Sequence, residues 1–509
     1  MEHMGWVSLI PAFIAVVLAL ISKNVILSLF MGALSGIVIL QKGAPIASVQ
    51  TFIGDYLFVQ LTDSYNAGVL VLLVFIGGFV ALVEKSGGAG AFAEKVIHVL
   101  NTRVKTQVSA WLGGILIFFS DLGTPLIVGP VFEKVFDKMK ISREKLAWII
   151  DSTSSPVAVL IPFIGWGVYI MGLIQKEFDA SNVTSMTDWE AFVGAIPFQF
   201  YSILTVIMVP LVVMTKLDIG PMKKAEERVQ TTGKLYWDTS IPLRKSEAMN
   251  EIQQTKSKAS FIIVPLLVLF ITLFGILISL GFPFKQVEGS AFRIALTTGY
   301  LFASVTLIGF LVISKVKKFA ETMDIYFQGM QKMMVVAATL VLAWALGTVM
   351  KEMGTANYIV EVIDGNLPVF LIPALLFAIG AVMSLASGTS WGTFAIMMPL
   401  AIPMAVQLDA PLLVCIGAVL SGGMFGDHCS PISDTTVLSS TGAGCDHIDH
   451  VKTQLPYALV NAGSAFIAFL IAGIFGHVAT LLLAIVLMAL TVWILSKRKN
   501  QSASNTLSH

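Results

Sequence analysis

Apolar runs long enough to cross a lipid bilayer recur along almost the whole chain. A transmembrane helix needs about 20 mostly apolar residues, and inside a bilayer the backbone must satisfy its own hydrogen bonds, so such runs fold as helices. We therefore predict an all-α polytopic membrane protein with about 11 transmembrane helices and two re-entrant hairpins. The predicted full spans are 6–22, 25–41, 67–84, 147–175, 191–214, 261–281, 293–314, 329–350, 411–436, 455–475 and 478–496.

Composition excludes the main alternative classes of protein. Only 12% of the 509 residues are charged, whereas soluble domains carry about 25% charged residues. The net charge of +1 provides no basic surplus, so we expect a lipid bilayer and no nucleic acid as partner. The three cysteines cannot all pair with one another, and we predict no disulfide framework.

The distribution of lysine and arginine predicts the orientation of the chain, because basic loops stay on the cytoplasmic side. The segments 134–145, 216–258 and 315–318 hold basic clusters. By contrast, the segment 176–190 holds one lysine and four acidic residues. This asymmetry predicts an external N-terminus and a cytoplasmic C-terminus.

Short motifs of the first half recur in the same order in the second half, which indicates an internal repeat. The matching pairs are Gly87/Gly354, Ala89/Ala356, Glu94/Glu361, Gly123/Gly392, Thr124/Thr393, Pro130/Pro399, Ser155/Ser430 and Pro156/Pro431. The first polar hairpin tip lies between segments assigned to the cytoplasm, and the second lies between segments assigned to the outside. The two halves are therefore predicted to be inverted repeats, the arrangement that many secondary transporters use.

The repeat divides the chain into four predicted parts. They are a first repeat over 1–215 with a hairpin at 106–135 and a broken helix at 147–175, a cytoplasmic linker over 216–258, a second repeat over 259–476 with a hairpin at 370–408 and a broken helix at 411–436, and an extra transmembrane helix with a cytoplasmic tail over 477–509. We expect the linker to be polar and mobile, and we assign it no chemistry.

Four aspartates fall within the polar breaks of these apolar segments: Asp121, Asp151, Asp427 and Asp434. An ionisable side chain at the centre of a bilayer costs at least about 2.5 kcal/mol, so it points to function. We predict that these four residues bind the transported ions or protons. The alternative is an interfacial position, or, for Asp151 and Asp427, an N-cap of the half-helix that follows.

Hydroxyl groups and main-chain carbonyls around the same breaks are hard oxygen ligands, which suit sodium. The candidate coordinating residues are Ser120, Thr124, Ser154, Ser155, Ser387, Thr389, Ser390, Thr393, Ser430, Ser433 and Thr435. Half-helix N-termini at these breaks would instead face an anionic group.

The histidines suggest a pH-sensitive residue more than a metal centre. His428 lies beside Asp427 and is a candidate pH-sensitive residue, since histidine changes its charge near neutral pH. His428 and Cys429 have no second ligand pair at the usual spacing, so we predict no transition-metal site. The run from Asp446 to His450 is interpreted as a solvated loop at a cytoplasmic helix end.

The polar breaks resemble those of a known family. The segment Gly426–Thr436 resembles the signature of the NhaC-type sodium/proton antiporters, and 120–125 and 151–156 resemble first-half motifs of that family. The resemblance implies an ion-transporter-superfamily fold with an elevator-like mechanism, often as a homodimer in a bacterial plasma (inner) membrane. It also implies sodium and protons as coupled ions, with no other cofactor.

Three functions are compatible with these residues. The first is sodium/proton antiport, in which carboxylates bind sodium and protons in competition. The second is a sodium- or proton-coupled carrier or exchanger of a small organic anion or amino acid, which the abundant hydroxyl groups of the hairpin tips favour. The third, an intramembrane enzyme, is disfavoured because the chain lacks a His-Glu-x-x-His motif and a soluble catalytic domain.

Overall fold

The protein folds as a bundle of helices. The computed structural model describes residues 3–22, 24–88, 91, 101–242, 257–282, 289–363 and 367–505. Within these residues the only extended pairing is an isolated bridge between Pro242 and Asp446. The predicted all-α polytopic class is confirmed.

The helices of the first half and of the linker are numbered in chain order among the described residues. They are α1 (Ile10–Ser22), α2 (Val25–Leu40), α3 (Pro45–Thr51), α4 (Phe58–Thr62), α5 (Ser64–Lys85), α6 (Arg103–Leu116), α7 (Gly123–Lys138), α8 (Arg143–Asp151), α9 (Ser155–Ala158), α10 (Gly165–Ser181), α11 (Asp188–Ala195), α12 (Phe200–Thr215) and α13 (Gly220–Thr232). A π-helical segment, Phe52–Leu57, joins α3 to α4.

The second half continues the same numbering. Its helices are α14 (Ser260–Ser279), α15 (Gly289–Ile313), α16 (Phe319–Glu352), α17 (Thr355–Ile363), α18 (Ile372–Ser387), α19 (Ser390–Gln407), α20 (Leu412–Cys429), α21 (Asp434–Ala443), α22 (His447–Phe475) and α23 (Thr480–Asn505).

Eight helices among the described residues are long and apolar enough to cross a membrane. Two further pairs are bent, α2 with Pro45–Thr62 by 118° and Asp188–Phe198 with α12 by 48°, and the number reaches ten if each pair forms one span. The exact count of about 11 spans stays a prediction. The helical segment Pro45–Thr62 falls where the sequence showed no span, because its polar residues interrupt the apolar pattern.

The two predicted hairpins correspond to helix pairs that pack against each other, α6 with α7 and α18 with α19. The first pair is joined by the non-helical residues 117–122. The second turn is tighter, since α18 ends at Ser387 and α19 begins at Ser390. Gly388 makes this turn possible because its φ of +71° is costly for any residue with a side chain.

Helix breaks follow both hairpins. In the first half α8 ends at Asp151 and α10 begins at Gly165, with the single turn α9 between them. In the second half α20 ends at Cys429 and α21 begins at Asp434. The halves meet where α7 crosses α21. The two helices can approach closely there because neither Gly129 nor Gly442 has a side chain at the contact. The inverted relation of the halves stays a prediction, and Ala89 and Glu94 of the motif pairs lie outside the described residues.

The linker corrects one expectation. Residues 220–232, which were expected to be mobile, form the helix α13, and its buried face docks on the rest of the protein. Arg228 of α13 donates to both carboxylate oxygens of Glu144 at 2.8 and 3.0 Å, and both side chains are buried. Glu226 pairs with Arg103 and accepts from the Ser142 N–H at 2.8 Å. Residues 243–256 of the linker lie outside the described residues.

Candidate ion-binding site

Asp427 occupies the centre of the candidate site. It lies in the last turn of α20, and its side chain is only 3% exposed. Its carboxylate accepts a hydrogen bond from Ser433 Oγ at 2.8 Å and one from Ser390 Oγ at 3.1 Å. The Ser433 and Thr435 hydroxyl oxygens are 3.0 Å apart. The start of hairpin helix α19 and the break between α20 and α21 therefore converge on one carboxylate.

Asp434 and Asp121 lie at the edge of this group. Asp434 is the first residue of α21, is exposed, and accepts from the Thr435 N–H at 2.9 Å. Its charge interacts with those of Asp427 and Asp121, so the three carboxylates share one electrostatic environment. Asp121 is partly buried at the first hairpin tip. The structure thus places Asp427, more than Asp434, where hydroxyl ligands surround a carboxylate.

Asp151 forms a second polar group beside the first. It is the last residue of α8 and is 1% exposed. Its carboxylate accepts from Gln454 Nε2 at 2.7 Å and from Ser439 Oγ at 3.1 Å, and His450 Nε2 lies 3.3 Å away. The partners come from α21 and α22, so the group joins the first half to the second.

The position of His450 corrects the interpretation of the run from Asp446 to His450 as a solvated loop. Asp446 caps the N-terminus of α22 by accepting from the Asp449 N–H at 2.9 Å, which makes the rest of the run its first turn. His450 is 0% exposed and faces Asp151. His447 contacts Ser440 at 3.0 Å and the Pro431 carbonyl at 2.7 Å. The charged residues around His450 made the whole run resemble a solvated loop, although His450 itself faces inward.

His428 bridges the first-half break to α12. Its Nδ1 is 2.8 Å from the Tyr201 hydroxyl, and its Nε2 is 3.4 Å from Ser152 Oγ. Gln454 also donates to the His428 carbonyl. Sequence reasoning missed Tyr201, Gln454 and His450. The spacing of four between His450 and Gln454 places both on one face of a helix, and that spacing was the available signal.

The N-cap alternative for two of the aspartates is wrong. Asp151 ends α8, and Asp427 lies inside α20, so neither caps the helix that follows. The actual N-cap residue of α21 is Ser433, and its side-chain hydroxyl donates to Asp427 instead of accepting from the helix. Both carboxylates are therefore directed to other side chains.

Most of the remaining hydroxyl candidates form hydrogen bonds with groups other than the four aspartates. Ser120 Oγ donates to Glu84 at 2.5 Å, while Thr124 Oγ1 donates to the Ser120 carbonyl at 2.9 Å. Thr393 Oγ1 donates to the Thr389 carbonyl at 2.9 Å. The Ser387 and Ser430 hydroxyls donate to the carbonyls of Ser384 and Leu385, respectively. The Ser154 hydroxyl accepts from the N–H of its neighbour Ser155. The buried hydroxyl of Ser155 has no partner among the described residues. Glu84, which sequence reasoning did not consider as a site residue, lies near the end of α5 and contacts the first tip.

An aromatic cluster stands between the two hairpin tips. The Trp166 and Trp391 rings are 4.5 Å apart between centroids, and Tyr169 lies 4.6 Å from Trp391. The Tyr169 hydroxyl donates to the Trp391 carbonyl at 2.7 Å. Trp391 follows Ser390, whose hydroxyl donates to Asp427, while Trp166 lies near Asp121. The cluster therefore links the second hairpin tip, through Trp391, to Trp166 beside the first.

Transition-metal ligands do not cluster in the part of the chain that the structure describes, where no group of three or more His, Cys, Asp or Glu residues has metal-binding geometry. The cysteines Cys415, Cys429 and Cys445 are buried and free. The polar groups around Asp427 and Asp151 thus consist of carboxylates, hydroxyls, imidazoles and amides.

Comparison with known proteins identifies the family. The sequence profile of the Na+/H+ antiporter family matches residues 157–474. An uncharacterized protein of Haemophilus influenzae is 33% identical over 482 residues, which cover 92% of this chain and 90% of that protein. The malate-2H(+)/Na(+)-lactate antiporter of Bacillus subtilis is 41% identical over 87 residues, 17% of this chain and 18% of that protein.

The fold also has a solved relative. The crystal structure of the YdaH transporter of Alcanivorax borkumensis matches with a TM-score of 0.57 and covers 85% of this chain and 89% of that one. At 14% sequence identity this likeness shows the fold alone. The family profile spans more than half of the chain and includes Asp427, Asp434 and the aromatic cluster. The protein is a multi-pass membrane secondary transporter, and it belongs to the Na+/H+ antiporter family.

Proposed function

We propose that the protein exchanges sodium for protons, with Asp427 as the central ion-binding residue. One observation carries this proposal. Asp427 is a buried carboxylate that accepts hydrogen bonds from two separate polar breaks, and no lysine or arginine pairs with it among the described residues. A buried carboxylate without a basic partner is stabilised by a bound cation or by a proton. Those are the two species that an antiporter exchanges.

The same residues provide a sodium ligand set. The Asp427 carboxylate and the hydroxyls of Ser390, Ser433 and Thr435 are hard oxygen donors within one hydrogen-bonded group. When sodium binds, it neutralises the carboxylate, and a proton held there leaves. When a proton binds, the hydroxyls return to hydrogen bonding. Asp434 and Asp151 add negative charge near Asp427, and Asp121 adds it near Asp434, which favours either occupant.

Transport requires that this site face each side of the membrane in turn. We infer an elevator-like movement in which the hairpins and broken helices shift together, within a homodimer in the bacterial inner membrane. The contact between Ser390 and Asp427 and the crossing of Gly129 over Gly442 support this, since they tie each hairpin to the second broken helix. The external N-terminus and cytoplasmic C-terminus belong to the same proposal.

The test is sodium-driven proton movement in proteoliposomes that contain a pH-sensitive dye. We expect the wild-type protein to dissipate an imposed pH gradient when sodium is added, and Asp427→Asn to do so at least tenfold more slowly, because the variant cannot hold a neutralising cation. Asp324→Asn is the matched control, since Asp324 is exposed on α16. Exchange by Asp427→Asn at the control's rate would remove Asp427 from the mechanism.

A second candidate function is the coupled exchange of a small carboxylate. It is favoured by the aromatic cluster, which offers a wall for an organic molecule beside the hydroxyls, and by the similarity over 87 residues to the malate-2H(+)/Na(+)-lactate antiporter. Uptake of labelled malate and lactate by the same proteoliposomes distinguishes the two functions. Sodium/proton exchange at full rate without any added organic solute would exclude obligatory coupling to a carboxylate.

A further inference from the structure

A small polar cavity lies away from the Asp427 group, between α10, α16, α17 and α19. Its volume is about 260 Å³, and Glu177, Lys351, Thr355, Asn357 and Gln407 line it. Lys351 and Gln407 are exposed at its mouth, whereas Glu177 lies at its buried end. The cavity thus connects the surface of the protein to a carboxylate within the helix bundle.

Glu177 is the unusual member of this cavity. Its side chain is 3% exposed, yet no hydrogen bond or ion pair links its carboxylate to another residue in the described ranges. Gly347 makes room for it, since a Cβ at that position would lie 2.5 Å from Glu177 Oε1. Lys176, Lys351 and Asp179 act on Glu177 only through their charge. A buried carboxylate without partners points to a ligand that provides positive charge.

The lining of the cavity supplies further oxygen atoms. The side chains of Thr355, Asn357 and Gln407 each carry an oxygen that can act as a ligand. Pro399 and Pro403 also line the cavity, within helix α19. Because proline has no N–H, Pro403 cannot donate to the Pro399 carbonyl one turn earlier, and that carbonyl lacks its usual helical donor. Carboxylate, amide, hydroxyl and carbonyl oxygens together suit a hard monovalent cation.

The position of the cavity relates it to the Asp427 group. Tyr169 on α10 contacts Trp391 beside that group, and Glu177 follows eight residues later on the same helix. At 1.5 Å per residue, Glu177 lies about 12 Å farther along α10. Glu177 also belongs to the acidic segment 176–190, which concentrates negative charge at this end of the protein.

We propose that Glu177 and the oxygens around it form an outer binding site for sodium, which captures the cation before it reaches Asp427. This inference rests on the proposed sodium/proton exchange and adds a second site to it. The outer site raises the local concentration of sodium on one side of the membrane only, the side at which α10 ends. Its loss therefore changes the apparent affinity for sodium on that side and leaves the maximal rate intact.

The experiment measures sodium-driven exchange by wild-type and variant proteoliposomes, with sodium varied separately outside and inside. We expect Glu177→Gln to raise the KM for sodium about tenfold on one side, with a maximal rate within about twofold of the wild type. Asp179→Asn is the matched control, because it removes the same charge from an exposed acidic residue two positions away. The charge of Asp179 is screened by solvent, so the control should change either KM by less than about twofold, which separates a binding site from a general surface potential.

A variant with the opposite expected effect distinguishes the loss of a binding site from damage to the fold. Lys351→Met removes the positive charge at the cavity mouth, and we expect the KM for sodium to fall about threefold on the same side. Damage to the fold does not produce such a gain. An unchanged KM in Glu177→Gln would overturn the outer site, whatever the result for Lys351→Met. So would a Glu177→Gln variant that changes only the pH profile, since Glu177 would then hold a proton.

Failure of the inference and failure of the proposed function give different results. If the wild-type protein exchanges sodium for protons and Glu177→Gln has the wild-type KM on both sides, only the outer site is overturned. If the wild-type protein shows no sodium-driven exchange, sodium binding is measured directly by thermal unfolding, because a ligand of the folded state raises its stability. If sodium still stabilises the Asp427→Asn variant, and the double variant Asp427→Asn/Glu177→Gln loses this stabilisation, the outer site is supported. The absence of any sodium effect on Asp427→Asn would overturn it.

Discussion

His450 Nε2 lies 3.3 Å from Asp151 Oδ2, although 299 positions separate the two residues in the chain. The contact joins the end of α8 in the first half to the first turns of α22 in the second. It lies beside His428, which contacts Tyr201 and Ser152. The polar interior of the transporter is thus built across the two halves, because the described side-chain partners of Asp151 all come from the second half.

The first prediction concerns this contact. His450→Ala removes one of three polar partners of a buried carboxylate, leaving Ser439 and Gln454, and we expect it to destabilise the protein by about 1–3 kcal/mol. The midpoint of thermal unfolding in detergent measures the loss. His450→Gln, which retains a donor, should lose less than His450→Ala. Equal stability of His450→Ala and the wild type would show that the contact contributes nothing to the fold.

The second prediction concerns the hydroxyls that reach Asp427. Ser390→Ala and Ser433→Ala each remove a charge-assisted hydrogen bond, worth about 1.5–3 kcal/mol, and with it one candidate sodium ligand. Because about 1.4 kcal/mol corresponds to a factor of ten in affinity, we expect each variant to raise the KM for sodium tenfold or more. Sodium-dependent exchange in proteoliposomes provides the measurement.

A control for these serines is available on α15. The Thr306 hydroxyl donates to the Phe302 carbonyl at 2.8 Å in an exposed hydrogen bond, so Thr306→Val removes a hydroxyl without affecting the site. Its KM should equal that of the wild type. A Ser390→Ala variant that behaves like Thr306→Val would assign Ser390 a structural contact only.

The helix breaks could be predicted from the sequence because they interrupt long apolar runs. Asp427 and Asp151 stand out as charged residues in such runs, and Gly388 with its polar neighbours indicates a turn at bilayer depth. The chemistry of the bilayer makes these exceptions informative, since it leaves few other polar groups to consider. The Asp427 group, with Ser390 and Ser433, contains only residues that the sequence had singled out.

The partners of Asp151 could not be predicted in the same way. His450 lies among charged residues near a helix end, a local pattern that also suits a solvated loop, and only the packing of α22 against α8 turns it inward. Glu177 belongs to the acidic segment 176–190, which lies outside the predicted spans, although the structure buries its side chain. Local composition reports the average environment of a segment, whereas the burial of one side chain depends on helices that are remote in sequence.

The third prediction tests the crossing of α7 and α21. A side chain at Gly129 would collide with the backbone of Gly442, whose own Cβ would meet the Pro125 carbonyl. Gly129→Val should therefore destabilise the protein by about 1–3 kcal/mol or prevent its folding, as overpacking does. The readouts are the yield of monodisperse protein and its unfolding midpoint.

Gly309 provides the comparison for this crossing. It lies on α15, and a Cβ at this position would have no neighbouring atom within 4 Å, so Gly309→Val should be tolerated. If Gly129→Val and Gly309→Val unfold at the same temperature as the wild type, the close approach of the two halves at this point does not occur.

The last prediction concerns the docking of α13. Arg228 and Glu144 form a buried ion pair with two hydrogen bonds, at 2.8 and 3.0 Å, between the linker and α8. Arg228→Met or Glu144→Leu alone leaves an uncompensated buried charge and should cost about 3–5 kcal/mol. The double variant buries neither charge, so it should recover most of the loss. Lys234→Ala, which breaks an exposed pair with Asp238, is the control and should leave the unfolding midpoint unchanged. Strictly additive losses in the double variant would mean that the two charges do not interact and that α13 is held by its apolar face alone.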